Sequence, residues 1–176
     1  MSQRVSGYQR QRDDSYETPS WVTQLVVGYL QQQGCRHIWD PANGPNSKLA
    51  QTLRDAGFRV TATNSDFPII CAPPHGDIDT ICTNPPYGSG GRLACRFIER
   101  ALELVPNVLM LLRNDFDSGR TRTHLFRDRR TFKHKLPLLN RIKWFDGPKE
   151  PSDNHAWFIW DANYYGLATL VYVRRP

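Results

Sequence analysis

The stretch best suited to chemistry is Asn84-Pro85-Pro86-Tyr87. It follows Asp79-Thr80-Ile81-Cys82-Thr83, a run that predicts a buried strand. Two consecutive prolines remove two N–H donors and stiffen the turn. The side-chain oxygen of Asn84 and the carbonyl of Pro85 then serve as fixed, outward-facing acceptors. Two acceptors aimed at one point suit an NH₂ group that must donate both hydrogens, and Tyr87 adds a flat ring beside that point. An aromatic amino group is a poor nucleophile because its lone pair is delocalised. Accepting both hydrogens draws the nitrogen toward sp³ geometry and concentrates the lone pair for attack on an activated methyl group.

A second polar loop, Asp40-Pro-Ala-Asn-Gly-Pro-Asn46, joins a short strand to a helix that starts near Ser47. Gly44 permits a tight turn, and the helix N-terminus favours negative charge. Asp40 could receive a cationic amino group. Neither GxGxxG nor GxxxxGK[ST] is present, which removes the dinucleotide fingerprint and the usual nucleotide triphosphatases. The four cysteines, Cys35, Cys71, Cys82 and Cys95, form no CxxC pair and read as reduced thiols of a cytoplasmic protein, with no metal expected. His75 and His155 are catalytic candidates in principle, although a lone loop histidine is usually solvated.

These loops need strands behind them. Residues 1–15 are polar and aperiodic and are expected to be a flexible tail. Thr18 followed by Pro19 suits an N-cap, and Trp21, Leu25, Val26 and Tyr29 recur at helical spacing up to Gly34. A strand is expected over Arg36–Asp40, a helix over Ser47–Ala56 with Leu49 and Leu53 inward, and a strand over Phe58–Thr63. Ile69–Cys71 could add a short strand. The Gly-rich loop after Tyr87 leads to a helix over Arg92–Leu104, with Leu93, Phe97, Ala101 and Leu104 in register. Further strands are expected at Val108–Leu112, Arg141–Phe145, Ala156–Trp160 and Leu167–Val173, with one helix near Thr121–Arg129. The alternation predicts an α/β fold with a mostly parallel sheet, helices on both faces and an antiparallel hairpin at one edge. Ligands in such sheets bind beyond the carboxyl ends of the strands.

At 176 residues, with 39% hydrophobic and 23% charged residues, the chain is the length of one domain and has core enough to fold without disulfide or metal staples. The longest apolar run, Val108–Leu112, falls well short of the roughly 20 residues a membrane-spanning helix needs. Net charge is +6, and it is unevenly placed. Residues 120–143 hold nine Lys or Arg and one acid, Asp128, a balance of +8, so the remainder is mildly acidic. Such a segment is either a solvated basic face or a contact for a polyanion.

The order of motifs resembles the adenine-specific (N6) DNA methyltransferases, the small bacterial and phage S-adenosylmethionine-dependent type with a Rossmann-like class I fold. Tyr16-Glu17-Thr18-Pro19 resembles their N-terminal cofactor-contact motif, Ile38–Gly44 their cofactor loop, and Asp79–Tyr87 their catalytic strand and loop. Leu125–Arg129 and Asn154–Trp160 resemble later segments, so the likeness runs over residues 16–173. It implies catalytic roles for Asn84, Pro85, Pro86 and Tyr87. It implies cofactor contacts from Thr18, Asp40, Pro41 and Gly44 on the methionine part. The acid that usually follows the second strand and holds the ribose is replaced by Asn64, with Asp66 two residues on. Asp66-Phe67 also resembles the family's pair beside the cofactor adenine, so Asp66 has two candidate roles. Asn46 stands where the family has a second loop glycine.

The resemblance implies double-stranded DNA as substrate, a target adenine flipped from the stack, S-adenosylmethionine as cofactor with S-adenosylhomocysteine as product, and no metal. Phosphate contacts are expected from Arg120, Arg122, Arg127, Arg129, Arg130 and Lys133. An aromatic near residues 156–160 stacks on the base in the family; Trp157 is the candidate, with core packing the competing role for it as for Trp160. Residues 16–176 would form a single methyltransferase domain without a separate target-recognition domain, with a homodimer as one arrangement open to it. Two alternatives are an RNA or protein-glutamine methyltransferase of the same fold and a catalytically weak, nucleic-acid-binding relative.

Overall fold

A computed structural model describes residues 16–64, 66–144 and 151–175. The tail expected over residues 1–15 and the Phe145 end of one expected strand lie outside the described residues. Among the described residues, three α-helices and seven strands follow in the order α1 (Ser20–Gln32), β1 (His37–Asp40), α2 (Lys48–Asp55), β2 (Arg59–Ala62), β3 (Thr80–Thr83), α3 (Arg92–Leu104), β4 (Asn107–Arg113), β5 (Phe132–Pro137), β6 (His155–Asp161) and β7 (Thr169–Leu170). They build one seven-stranded sheet in the order β2-β1-β3-β4-β6-β5-β7. All neighbouring pairs are parallel except those of β6, which runs antiparallel to both β4 and β5. β6 is thus the return strand of the expected hairpin, and β7 closes the edge outside it.

The two sheet faces carry two cores. α1 and α2 cover one face, where Val22, Val26, Leu30, Leu49 and Leu53 pack on Ile38, Cys82, Leu109, Trp157 and Ile159. α3 covers the other, where Ala94, Phe97, Ile98 and Ala101 pack on Ile81, Val108, Met110, Phe158 and Trp160. Alternate residues of β6 feed opposite cores, as the period of two in a strand requires. Each fully buried large side chain contributes about 1.5–3 kcal/mol of transfer free energy. The inward faces of α1 and α3 are turned by about one residue from the expected ones: Val22 and Leu30, not Trp21 and Tyr29, are fully buried, as are Ala94 and Ile98 rather than Leu93 and Leu104.

Several expectations are corrected. Thr18 does not cap α1: Pro19, in extended conformation, is the N-cap and no side chain bonds there. Phe67–Ile69 is a 3₁₀ turn, not a strand over Ile69–Cys71. The helix expected near Thr121–Arg129 is a 3₁₀ segment over Arg120–Leu125. It leads into β5, a strand that the periodicity does not predict. A bulge between Phe132 and His134 shifts the register there, so Phe132 joins one core and Leu136 the other. That shift erases the alternation that marks a strand. Residues 141–144 are irregular. The strand expected over Leu167–Val173 shrinks to Thr169–Leu170 plus one bridge between Leu138 and Val173.

Candidate active site

β1, β3, β4 and β5 all point their carboxyl ends to one edge of the sheet, where β6 begins. Asp40, Asn84, Arg113 and His155 therefore share that edge. Asp40 is fully buried. Its Oδ1 accepts from Thr83 Oγ1 (2.7 Å), Asn43 Nδ2 (2.8 Å) and the Ala42 N–H (3.3 Å), and its Oδ2 accepts from Ser47 Oγ (3.2 Å). Ser47 Oγ in turn caps α2 by accepting from the Ala50 N–H at 3.1 Å. Burial pushes the Asp40 carboxyl up to about 6, against the pull of those four donors. Gly44 turns the loop with φ +76° and donates to Thr63 O at 3.1 Å.

The second loop starts at Asn84, 7% exposed. Its Nδ2 donates to Tyr16 O at 3.2 Å. This contact takes one of the two amide N–H groups and fixes the orientation of the amide, with Oδ1 as the acceptor open to a ligand. Pro85 is buried and Pro86 half-buried behind it. Tyr87 stands edge-on to Phe116, with centroids 6.2 Å apart. Its hydroxyl is buried near the Arg113 backbone without a well-formed hydrogen bond, and burial raises its pKa. Gly88 ends the loop at φ +61°, where a Cβ would meet Leu93 Cβ at 2.8 Å, so only glycine fits this turn into α3.

Asn84 and Tyr87 line a cavity of about 310 Å³, together with Phe116, Trp144, Asp153 and His155. That is the lower end of the range for small-molecule sites. Trp144 packs edge-on to His155 (5.1 Å) and tilts against Tyr16 (5.6 Å). His155 is not the solvated histidine expected. It opens β6, is 5% exposed, and burial lowers its pKa to about 4, so the ring is neutral at ordinary pH. Its Nδ1 is buried without a partner. A lone His carries little local signal, so the sequence gives no reason to single it out. Trp144, Phe116 and Arg113 form no pattern at all, since only the path of the chain brings them to this edge.

Residues 16–18 strap the two loops together. Tyr16 O takes the Asn84 amide, Glu17 Oε1 accepts from the Lys48 N–H at the start of α2 (2.5 Å), and Thr18 Oγ1 is buried with no partner. An orphaned hydroxyl beside a helix N-terminus and a left-handed glycine turn is a fit place for the polar end of a ligand. Pro41 is buried behind Asp40, while Asn64 and Asp66 are exposed after β2 and Asn46 is exposed beside Ser47. Phe67 is corrected. It is fully buried, edge-on to Trp39 at 5.1 Å and against Phe97 at 4.9 Å, so neither ring face is open to an adenine.

The cationic segment does not form one patch. Arg122 stays at the site edge, donating to Phe116 O (2.9 Å) and Gly90 O (2.8 Å) with its guanidinium 3.9 Å over the Phe116 ring. The chain then runs down α3: His124 meets Glu99, and Leu125 O accepts from Trp160 Nε1 at 2.8 Å. Arg127, Arg129 and Arg130 follow at the opposite end, one β4 length away, about 20 Å at 3.3 Å per residue. Arg127 pairs with Asp128. Lys133 is corrected as a phosphate contact: it is 14% exposed, bound to Asp161 at 3.0 Å and Gln33 at 2.9 Å. Arg120 is exposed near the site edge. Trp157 is corrected as well. It has no exposed surface, and its Nε1 donates to Val22 O at 3.0 Å inside the α1 core, so it offers no face to a base.

Among the described residues no group of three His, Cys, Asp or Glu could hold a metal, and no helix is long and apolar enough to cross a membrane. No family model and no curated protein matches the chain. Solved structures do. A Listeria monocytogenes protein assigned to the class I S-adenosylmethionine-dependent methyltransferases is 11% identical, with a TM-score of 0.61 over 96% of this chain and 68% of its own. A Pyrococcus horikoshii protein assigned as an RNA methyltransferase is 13% identical, with a TM-score of 0.62 over 90% and 93%. The modification subunit of a protein assigned as a type I restriction enzyme in Vibrio vulnificus is 12% identical, with a TM-score of 0.54 over 93% and 48%. The chain spans about half the length of that subunit. At such identities the likeness carries the fold: a Rossmann-like sheet of the class I methyltransferase kind.

Proposed function

We propose that the chain transfers a methyl group from S-adenosylmethionine to the N6 amino group of adenine in DNA. The observation that carries this reading is the Asn84 amide. Its nitrogen is tied to Tyr16 O, so its oxygen is the end left for a donor at the wall of an aromatic-lined cavity. An exocyclic NH₂ on a flat base supplies that donor. Asn84 Oδ1 and Pro85 O accept its two hydrogens, Tyr87 and Trp144 bound the ring, and the neutral His155 adds no charge to a wall that already holds Arg113 and Arg122. As the nitrogen gains positive charge on alkylation, the benefit from both acceptors grows, so their stabilisation is largest in the transition state. Thr18, Asp40 and the Gly44 turn hold the methionine end, Asp40 by shaping the loop through its four donors. Asp66, the carboxylate exposed after β2, takes the ribose diol. When bound, S-adenosylmethionine supplies the electrophilic methyl group. Arg120 and Arg122 contact phosphate at the same edge.

The modification-subunit neighbour supports DNA as acceptor, and the archaeal neighbour assigned as an RNA methyltransferase supports RNA as the second reading. The test has two stages. Calorimetry with millimolar S-adenosylmethionine or S-adenosylhomocysteine should give binding heat and a raised melting temperature. Labelled-methyl transfer to duplex DNA, RNA and total protein should then give N6-methyladenine in DNA. No heat and no thermal shift would remove the cofactor reading. Label in RNA or glutamine alone would replace the substrate.

A further inference from the structure

The cations able to meet a nucleic-acid backbone next to the cavity come from three separate parts of the chain: Arg120 with Arg122, Arg141 with Lys143, and Arg175. Arg141, Lys143 and Arg175 line a shallow groove with Trp21, Leu139 and Pro151. Pro151 is also a wall of the candidate base cavity, and Trp144, next to Lys143, lines that cavity too. The groove therefore opens beside the place where a target base would sit.

Its charges are unneutralised by any carboxylate among the described residues. Arg141 is held by neutral acceptors, Asn154 Oδ1 at 2.9 Å and Pro151 O at 3.2 Å. Arg175 lies 5.8 Å over the Trp21 ring, and its backbone N–H donates to Asn140 Oδ1 at 2.8 Å. The C-terminal segment is tied in place by Leu139 N–H to Val173 O (2.8 Å) and Val173 N–H to Pro137 O (3.0 Å). By contrast, Arg127, Lys133 and Lys135 each face an acid, Asp128, Asp161 and Asp117, while Arg129, bound to His124 O, and Arg130 lie at the opposite end of the sheet from the cavity. A cation already paired gains little from a phosphate. One fixed in place by neutral groups keeps its full charge for it. Trp21 and Leu139, the latter 61% exposed, add apolar surface on which a base can rest.

We infer that this groove holds the sugar–phosphate backbone of a DNA strand flanking the target base. The inference rests on the adenine methyltransferase reading for the identity of the strand, and its test is separable from it. Duplex DNA binding is measured against salt for the wild type, for Arg141→Ala/Lys143→Ala/Arg175→Ala, and for Arg127→Ala/Arg129→Ala/Arg130→Ala. Removing one cation that neutralises a phosphate should reduce the log–log slope by about 0.9. The groove variant should flatten the slope by about 2–3 and weaken binding at least tenfold near 0.1 M salt. The other variant should change the slope by less than about 1.

Arg141 also ties Asn154 and Pro151, so Lys143→Gln/Arg175→Gln, which removes neither of those bonds, is run in parallel and should flatten the slope by about 2. Melting curves confirm that each variant is folded. An unchanged slope in both groove variants overturns the inference, as does a wild type that binds RNA but not DNA, or neither, at low salt. If the wild type binds DNA with a slope that depends on the groove yet transfers no methyl group, the groove stands and the catalytic reading fails.

Discussion

The loops after β1 and β3 both begin with a buried polar residue at a strand end, yet they treat it oppositely. Asp40 is enclosed, and both its oxygens are occupied by its own loop and by Thr83 and Ser47. Asn84 is almost as buried, but only its nitrogen is engaged, by Tyr16. A buried group whose bonds are all internal shapes a loop. A buried group at the wall of an open cavity, with its amide oxygen not taken by any of the described residues, is placed to meet a ligand. On the proposed reading, the first loop owes its shape to Asp40 and the second presents Asn84 to the acceptor.

The sharpest way to break it is Asn84→Ala. Single-turnover methyl transfer should drop by about two to three orders of magnitude, as when one group is removed from a preorganised hydrogen-bonding site. S-adenosylmethionine affinity should move by no more than about twofold. A near wild-type rate would place the catalytic loop elsewhere. Asp40→Ala should show the converse pattern. It strands donors on Thr83, Asn43, Ser47 and Ala42, so urea unfolding should report a loss of about 2–4 kcal/mol, with cofactor affinity falling alongside it. If affinity falls while stability holds, Asp40 touches the ligand directly and the contrast between the loops is overstated.

Titration sharpens the contrast further. The folded Asp40 carboxyl keeps its proton up to about pH 6, whereas in the unfolded chain it is released near 4. Between those values the folded state binds more protons, so this group's contribution to stability falls as pH rises. The folded His155 ring loses its proton at about 4 and the unfolded one near 6.5. There the folded state binds fewer protons, and stability rises with pH. The two oppose each other across pH 4–6. Replacing His155 with Gln should leave stability declining with pH in that window relative to wild type, and Asp40→Asn should leave it rising. Each difference is at most about 3 kcal/mol, from 1.36 kcal/mol per pKa unit. Parallel stability–pH curves for variant and wild type would show that burial perturbs neither group.

The smallest effect is expected from Tyr87→Phe. The Tyr87 hydroxyl makes no well-formed hydrogen bond, so its removal should change stability by less than about 1 kcal/mol and turnover by less than about threefold. Tyr87→Ala removes the ring, worth about 1–3 kcal/mol for one stacked base, and should weaken substrate binding by tenfold or more. Equal losses in the two variants would mean that the hydroxyl, not the ring, is in use.

Local chemistry was legible from the residue order alone. A proline pair after an apolar strand, Ser47 before a helix and glycines at helix ends act through neighbours a few positions away, so the two loops and the alternation of strands and helices follow from sequence. What depended on distant partners was not legible. Tyr16 meets Asn84 across 68 residues, and Trp144 and His155 join the cavity only because β5 and β6 return to the same sheet edge. The bulge in β5 hid that strand, and only the packing of α1 decides between the core and base-stacking roles open to Trp157. The +8 of residues 120–143 is a property of the chain, but its direction in space is not. The fold carries Arg127 and Arg130 to one end of the sheet and Arg141 and Lys143 to the other, where Arg175 joins them. Charge adds along a sequence, whereas a potential adds over distance, and only the tertiary structure sets the distances.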